Sequence, residues 1–328
     1  MASPPLRTLV AMPSGIGGMV GCWPVLAALA ASGRRLFALA EPEEAALLKL
    51  APCAPLPRLP DLASTRSVVR ATECEEALLL SRRLDDAWLA RSAEIPRRWG
   101  YRSLVTGWFL NRRVRPPSGG ERARRPASED FRELLAAMDV PRGSAEPRLG
   151  LGGEDRARAR ERLERARVTP GGDPLVGIYP GIAGGGSPKP WPRRRFEELV
   201  RRLRRDRPGL RFVVLATTED LWAAVRIHEE TGKIHPVIGP DLKPDALAAL
   251  LGEFDVVIAV ESWMLDLAAA AGTTTLGLYC RDPRRWAPPG DRHRTIFAGR
   301  AGSVAAIEID QVLDVFVDGG IMTGSTQT

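Results

Sequence analysis

Four stretches of this chain place chemically useful residue types where an apolar strand gives way to a helix. The first is IYPGIAGGGSPKPWP, residues 178–192. A strand ends at Pro180-Gly181, and Gly184, Gly185 and Gly186 let the backbone bend close to a ligand. Lys189 then brings a compact positive charge near the strand end. The Walker spacing GxxxxGK[ST] is absent, and on spacing alone a surface loop with a solvated Lys fits as well. The second stretch is VESWMLDLAAAAG, residues 260–272. Glu261 closes a buried-type strand, and Ser262 stands where an N-cap belongs. Trp263, Met264 and Asp266 then open an Ala-rich helix whose free N–H groups and partial positive charge suit a diphosphate. The third is ATTEDLW, residues 216–222, in which Glu219 and Asp220 begin a helix just past a strand. An acid there holds ribose or base hydroxyls, or simply offsets the helix dipole. The fourth is PSGIGGMVGCWP, residues 13–24, which gathers Ser14, Gly15, Gly17, Gly18 and Gly21 with no Lys, acid or His. Val20 stands where the third glycine of GxGxxG is needed, so a nicotinamide enzyme fits poorly.

The elements that must position these residues repeat as strand, then helix. In the first half the apolar runs 8–12, 35–40 and 76–80 read as strands. Segments 24–32, 42–50, 82–94 and 129–138 read as helices, the first opening at Pro24. Residues 112–128 read as a loop by their Pro, Gly and charge content, and 140–153 as an interdomain linker. In the second half the strands are 175–181, 211–216, 255–260 and 274–280, and the helices 154–167, 193–206, 219–231 and 263–271. Continuous apolar strands alternating with helices indicate an α/β protein whose parallel sheets are covered on both faces. Ligands then belong at the carboxyl ends of the strands, where every glycine loop lies.

At 328 residues the chain fits two domains, at about 150 residues each. These are expected at 1–150 and 151–328. A net charge of +7 suits an acidic partner, as does an anionic membrane face; a solvated Arg-rich surface explains the same number. No nucleic-acid motif and no evident stripe of aromatic and basic residues favours a nucleic-acid module. The four cysteines are scattered, as reduced thiols of a cytoplasmic protein would be. The three histidines lack metal-ligand spacing, so no metal site is expected. The N-terminus mimics a secretion signal, but Pro13, Pro24 and the glycines break its apolar core. There is no breaker-free run of about 18 apolar residues, so no membrane span is expected.

Together these stretches resemble glycosyltransferase family 9, the ADP-heptose:lipopolysaccharide heptosyltransferases. VGIYPGIAGGGSPKPWPRRRFEELVRRL (176–203) is similar to that family's strand, Pro-Gly, glycine loop, Lys, Trp-Pro and helix. VVIAVESWMLDLAAAAGTTTLGLYC (256–280) is similar to its donor-site strand and helix. RDPRRWAPPG (281–290), RRWGYRS (97–103) and the spacing of the opening loop also resemble family segments. The resemblance covers most of the chain and is stronger from 176 to 290 than before 150. It implies a GT-B fold, two Rossmann-like domains with parallel sheets facing a central cleft. The acceptor would bind the N-terminal domain and the nucleotide-sugar the C-terminal one, with a C-terminal helix near 308–317 returning to the N-terminal domain. It further implies an inverting, metal-independent transfer of a sugar such as heptose from a donor such as ADP-heptose to lipopolysaccharide or another glycan. No cofactor is implied, and contact with the inner membrane face would suit the acceptor. By this resemblance Lys189 contacts donor phosphate beside Gly185 and Gly186. Glu219, before Asp220, binds the nucleoside. Glu261, Ser262 and the helix start from Trp263 to Asp266 seat the diphosphate.

Three positions depart from the family pattern. Gly18 stands where relatives place an Asp base after the second glycine, in the acceptor-side loop of Ser14, Gly15, Gly17 and Gly18. Trp263 replaces a Gly and Asp266 a His. Two readings follow: an active glycosyltransferase whose base is another acid, such as Glu41 or Asp61, or a catalytically degenerate binding or scaffold protein.

Overall fold

The computed structural model describes residues 4–169, 172–181, 191–232 and 236–318. The chain divides into two compact units, Met1–Gly150 and Leu151–Thr328.

The first unit runs β1 (Arg7–Ala11), α1 (Ile16–Gly21), α2 (Trp23–Ala31), β2 (Arg35–Ala40), α3 (Pro42–Ala45), β3 (Ala54–Pro57), α4 (Leu62–Ala71) and β4 (Glu76–Leu79). It continues α5 (Leu84–Ser92), β5 (Arg97–Tyr101), β6 (Arg112–Val114), α6 (Gly119–Arg122) and α7 (Ala127–Ala137). The strands form one parallel sheet in the order β3-β2-β1-β4-β5-β6. Its core gathers Leu9 and Ala11 of β1, Leu39 of β2, Ala77 and Leu79 of β4 and Leu89 of α5.

Most of the expected elements form, with three differences. The glycine stretch after β1 is not all loop, because residues 16–21 wind into a short helix. Gly15 makes that possible: its φ of 87° turns the chain out of the strand in a region that L side chains avoid. Second, the helix expected at 42–50 breaks after Ala45 and tightens to a 3₁₀ turn at Leu47–Leu50. Third, residues 112–128 hold β6 and α6 rather than a continuous loop.

The second unit runs α8 (Gly153–Arg165), β7 (Leu175–Tyr179), α9 (Arg193–Asp206), β8 (Arg211–Leu215), α10 (Leu221–Glu230), β9 (Val237–Ile238) and α11 (Pro244–Leu251). It continues β10 (Val256–Val260), α12 (Trp263–Ala270), β11 (Thr274–Tyr279), α13 (Pro283–Trp286), β12 (His293–Phe297) and α14 (Ile309–Asp318). Its parallel sheet is ordered β12-β11-β10-β7-β8-β9. Every residue of β7 and β10 is buried, as two-sided cover by helices demands. On α9, Phe196, Leu199, Val200 and Leu203 recur at helical spacing and enter the core. Trp191 leads into that helix; it packs edge-on against Phe196 and its indole N–H donates to the Ile307 carbonyl at 2.8 Å.

The expected C-terminal helix forms as α14. Val312, Leu313 and Phe316 of α14 join the core of the second unit, and α14 packs on α9. Within the second unit its apolar stripe lies against α9 and β12. No helix among the described residues is long and apolar enough to cross a membrane.

Candidate functional site

In an open parallel sheet, a crevice forms where consecutive connections leave one strand in opposite directions. In the second unit that strand is β7, flanked by β8 on one side and β10 on the other. Tyr179 ends β7, with Pro180 and Gly181 next along the chain, and Glu261 and Ser262 directly follow β10. The glycine loop that carries Gly184, Gly185, Gly186 and Lys189 starts at this point but lies outside the described residues.

Ser262 occupies the N-cap position of α12, but its side chain makes no capping bond. Its Oγ is buried and has no hydrogen-bond partner among the described residues. The first turn of α12 thus offers N–H groups that no side chain of the cap satisfies. Met264 contributes only backbone here, since its side chain is fully buried in the core. Trp263 and Asp266 are half-buried on the same turn. Burial pushes the Asp266 carboxyl up to about 8, only partly countered by Arg281. Burial thus favours the neutral form of Asp266, which carries no charge against a phosphate.

Glu261 is held by its neighbours just after β11. Its side chain is fully buried, and both oxygens are engaged: Arg281 Nε donates to Oε1 at 3.0 Å, the Arg281 backbone N–H to Oε2 at 3.1 Å, and Cys280 Sγ to Oε1 at 3.2 Å. What Glu261 presents is Arg281, at the carboxyl end of β11 beside β10. That guanidinium lies over the Trp286 ring at 4.5 Å, and its Nη groups make no hydrogen bond among the described residues. RDPRRWAPPG resembles a family segment in the sequence without singling out Arg281; its place just after a buried strand is the available signal.

The two acids after β8 divide. Asp220 accepts from Thr217 Oγ1 at 2.8 Å and from the buried Tyr179 hydroxyl. Glu219 is exposed on the same turn and makes no hydrogen bond among the described residues. The Asp220–Tyr179 contact closes over Gly181, where a Cβ would collide with the carboxylate and the ring. Gly181→Ala is therefore expected to destabilise the protein by about 1–3 kcal/mol, seen as a lower thermal midpoint, and to displace the start of the glycine loop.

In the first unit the corresponding strand is β1, between β2 and β4. Most of the acids at this edge are committed. Glu41 accepts from Arg58 at 3.1 Å and from Arg83 at 2.7 Å. Buried Asp86 accepts from Arg58 and Ser81. Asp61 caps α4 through the Ser64 N–H at 2.7 Å, which holds its carboxyl below the usual range. Glu44, on α3 directly after β2, accepts from the Gly15 N–H at the cap of α1. Its other oxygen is buried without a partner among the described residues. Burial raises its carboxyl above the ordinary range, more than the Gly15 bond lowers it; Glu41 and Glu43 add to the rise. Glu44 thus brings a carboxylate to the loop after β1 at Gly15, three residues before Gly18. In the sequence Glu44 carries no signal of its own, because PEEA looks like an ordinary acidic helix start.

Comparison with known proteins supplies the context for this geometry. The model of glycosyltransferase family 9 (heptosyltransferase) matches residues 63–312. No curated protein matches the sequence. Among solved structures, a family 9 glycosyltransferase from Veillonella parvula superposes with a TM-score of 0.85 at 16% identity, covering 97% of this chain and 98% of that one. ADP-heptose lipopolysaccharide heptosyltransferase II of E. coli superposes at 0.82 with 20% identity, covering 98% and 100%. The E. coli heptosyltransferase WaaC, solved with ADP, superposes at 0.77 with 17% identity, covering 95% and 99%. The likeness spans both units and shows a shared two-unit α/β fold.

Proposed function

The chain belongs to glycosyltransferase family 9, and from that premise we propose that it moves a sugar from a nucleotide-diphosphate donor, ADP-heptose by analogy with its relatives, to a glycan acceptor of the lipopolysaccharide kind. The second unit holds the donor and the first the acceptor. The observation that carries this reading is the juxtaposition at the β7/β10 point of an uncapped α12 N-terminus, an unpartnered Ser262 Oγ and the Arg281 guanidinium. Backbone N–H groups, Arg281 and Lys189 offset the charge that builds on the leaving diphosphate, without a metal. Glu219 accepts from ribose hydroxyls, and Glu261 holds Arg281 in place. On the acceptor side Glu44 takes the proton of the attacking hydroxyl, the task that an Asp at position 18 performs in relatives. Contact with an anionic membrane face brings the acceptor within reach.

The test is release of ADP from ADP-heptose by the full chain with an acceptor present, in wild type, Lys189→Ala and Gly18→Asp. Wild type is expected to turn over and Lys189→Ala to lose most of the rate. A side chain at position 18 is accommodated, since a Cβ there meets only Pro13 carbons, at 3.5 Å. Gly18→Asp is therefore expected to fold normally and to leave the rate little changed. An inactive wild type that Gly18→Asp brings to life would instead make the chain a degenerate relative.

A further inference from the structure

The segment between β5 and β6 displays apolar side chains that the fold does not need. Leu104 is 96% exposed, Val105 59% and Trp108 82%. Exposed apolar residues scattered singly require no explanation, but three within five positions form a patch. The patch is built rather than slack. Ser103 and Thr106 join through their hydroxyls at 2.6 Å, Thr106 N–H donates to Ser103 Oγ at 2.9 Å, and Gly107 N–H to the Ser103 carbonyl at 3.2 Å. Buried Thr106 and Leu110, with Phe109 packed on the core, anchor the turn from beneath.

The charge around the turn is one-sided. From 97 to 120 the sequence holds six arginines and no acid. Arg102, Arg112, Arg113 and Arg115 are exposed, and none forms an ion pair among the described residues. On α8, by contrast, arginines are neutralised locally: Arg158 pairs with Glu154 and Arg165 with Glu161. The turn follows the carboxyl end of β5, the same sheet edge as the loop after β1 and two strand spacings from it, about 10 Å.

We propose that turn 103–108 is a docking surface for an anionic lipid bilayer, with Leu104, Val105 and Trp108 entering the headgroup boundary and the flanking arginines meeting lipid phosphates. An aliphatic tip with one Trp suits the membrane interface, and basic side chains beside it add attraction to anionic lipid. A nucleic-acid surface would present ring faces for stacking rather than Leu and Val. The inference deepens the lipid-borne acceptor reading, yet its test uses no catalysis.

The experiment is flotation of the full chain with vesicles of phosphatidylcholine alone or with added phosphatidylglycerol. Wild type is expected to float with the anionic vesicles only, and less so as salt rises. Leu104→Ser with Trp108→Ser, and separately Arg102→Gln with Arg115→Gln, are each expected to weaken binding at least about tenfold. ADP affinity of the same variants, measured in solution, is expected to match wild type, which shows that they fold. Failure of wild type to bind ADP would count against the donor reading and leave the vesicle result standing. Equal flotation of wild type and the Leu104/Trp108 variant, or no flotation with anionic vesicles, overturns the proposal. So does a Trp108-dependent dimer, or Trp108-dependent binding of a single-stranded oligonucleotide, in the absence of vesicle binding.

Discussion

Replacing Glu44 by Gln is expected to lower kcat about 10²- to 10⁴-fold, the range a positioned general base contributes, with ADP affinity unchanged. Glu41 is neutralised by Arg58 and Arg83, Asp86 is buried against Arg58, and Asp61 spends its carboxylate on a helix cap. Glu44 alone among these meets the loop after β1 with an oxygen that has no partner among the described residues. The sign of its pH dependence follows. The base must be ionised, and burial raises its carboxyl above the ordinary range. The acid limb of kcat should therefore lie above the pH of an ordinary Glu, about 4.3. Glu44→Gln should remove that limb along with the rate. Full activity in Glu44→Gln, with the limb intact, would assign the base elsewhere.

The second large effect concerns Arg281 and Glu261. Arg281→Ala is expected to weaken ADP binding about 10- to 100-fold, the value of a charge-assisted hydrogen bond to phosphate. Glu261→Gln is expected to weaken it less, because its buried carboxylate acts through the guanidinium that it fixes at 3.0 Å. The double variant should bind no more weakly than Arg281→Ala alone, since a group that acts only through another adds nothing once that other is gone. Additive losses, measured by calorimetry, would mean that Glu261 touches the donor itself. Stability responds in the opposite order of exposure. Glu261 is fully buried and Arg281 is not, so removing Arg281 strands a buried carboxylate and is expected to lower the thermal midpoint.

The central strands were legible because they are buried on both faces and so read as unbroken apolar runs: β1, β7, β10 and β11 all fall where those runs stand. The strands that escaped notice include all four sheet edges, β3, β6, β9 and β12. An edge strand has one neighbour and tolerates polar residues and proline, so APLP and RRV carry no apolar signature. β5 escaped as well, since RRWGY holds two arginines that cover its start.

The site was legible as positions and less so as partnerships. Ser262 and Glu219 stand at strand ends, as the β-then-α rhythm requires. That Glu261 would be consumed by Arg281, Asp220 by Tyr179 and Thr217, and Asp61 by its own helix depends on side chains brought together from separate strands and turns. Glu44 was hidden for the same reason: its significance lies in the Gly15 N–H, twenty-nine residues away.

The most direct test of the account is a calorimetric titration of the full chain with ADP, UDP and GDP. One of the three, ADP by analogy with the relatives, is expected to bind at a single site, with binding weakened by Lys189→Ala and by Arg281→Ala. Absence of binding by all three nucleotides, or binding that neither substitution disturbs, would contradict the assignment of the β7/β10 edge as a nucleotide-sugar site.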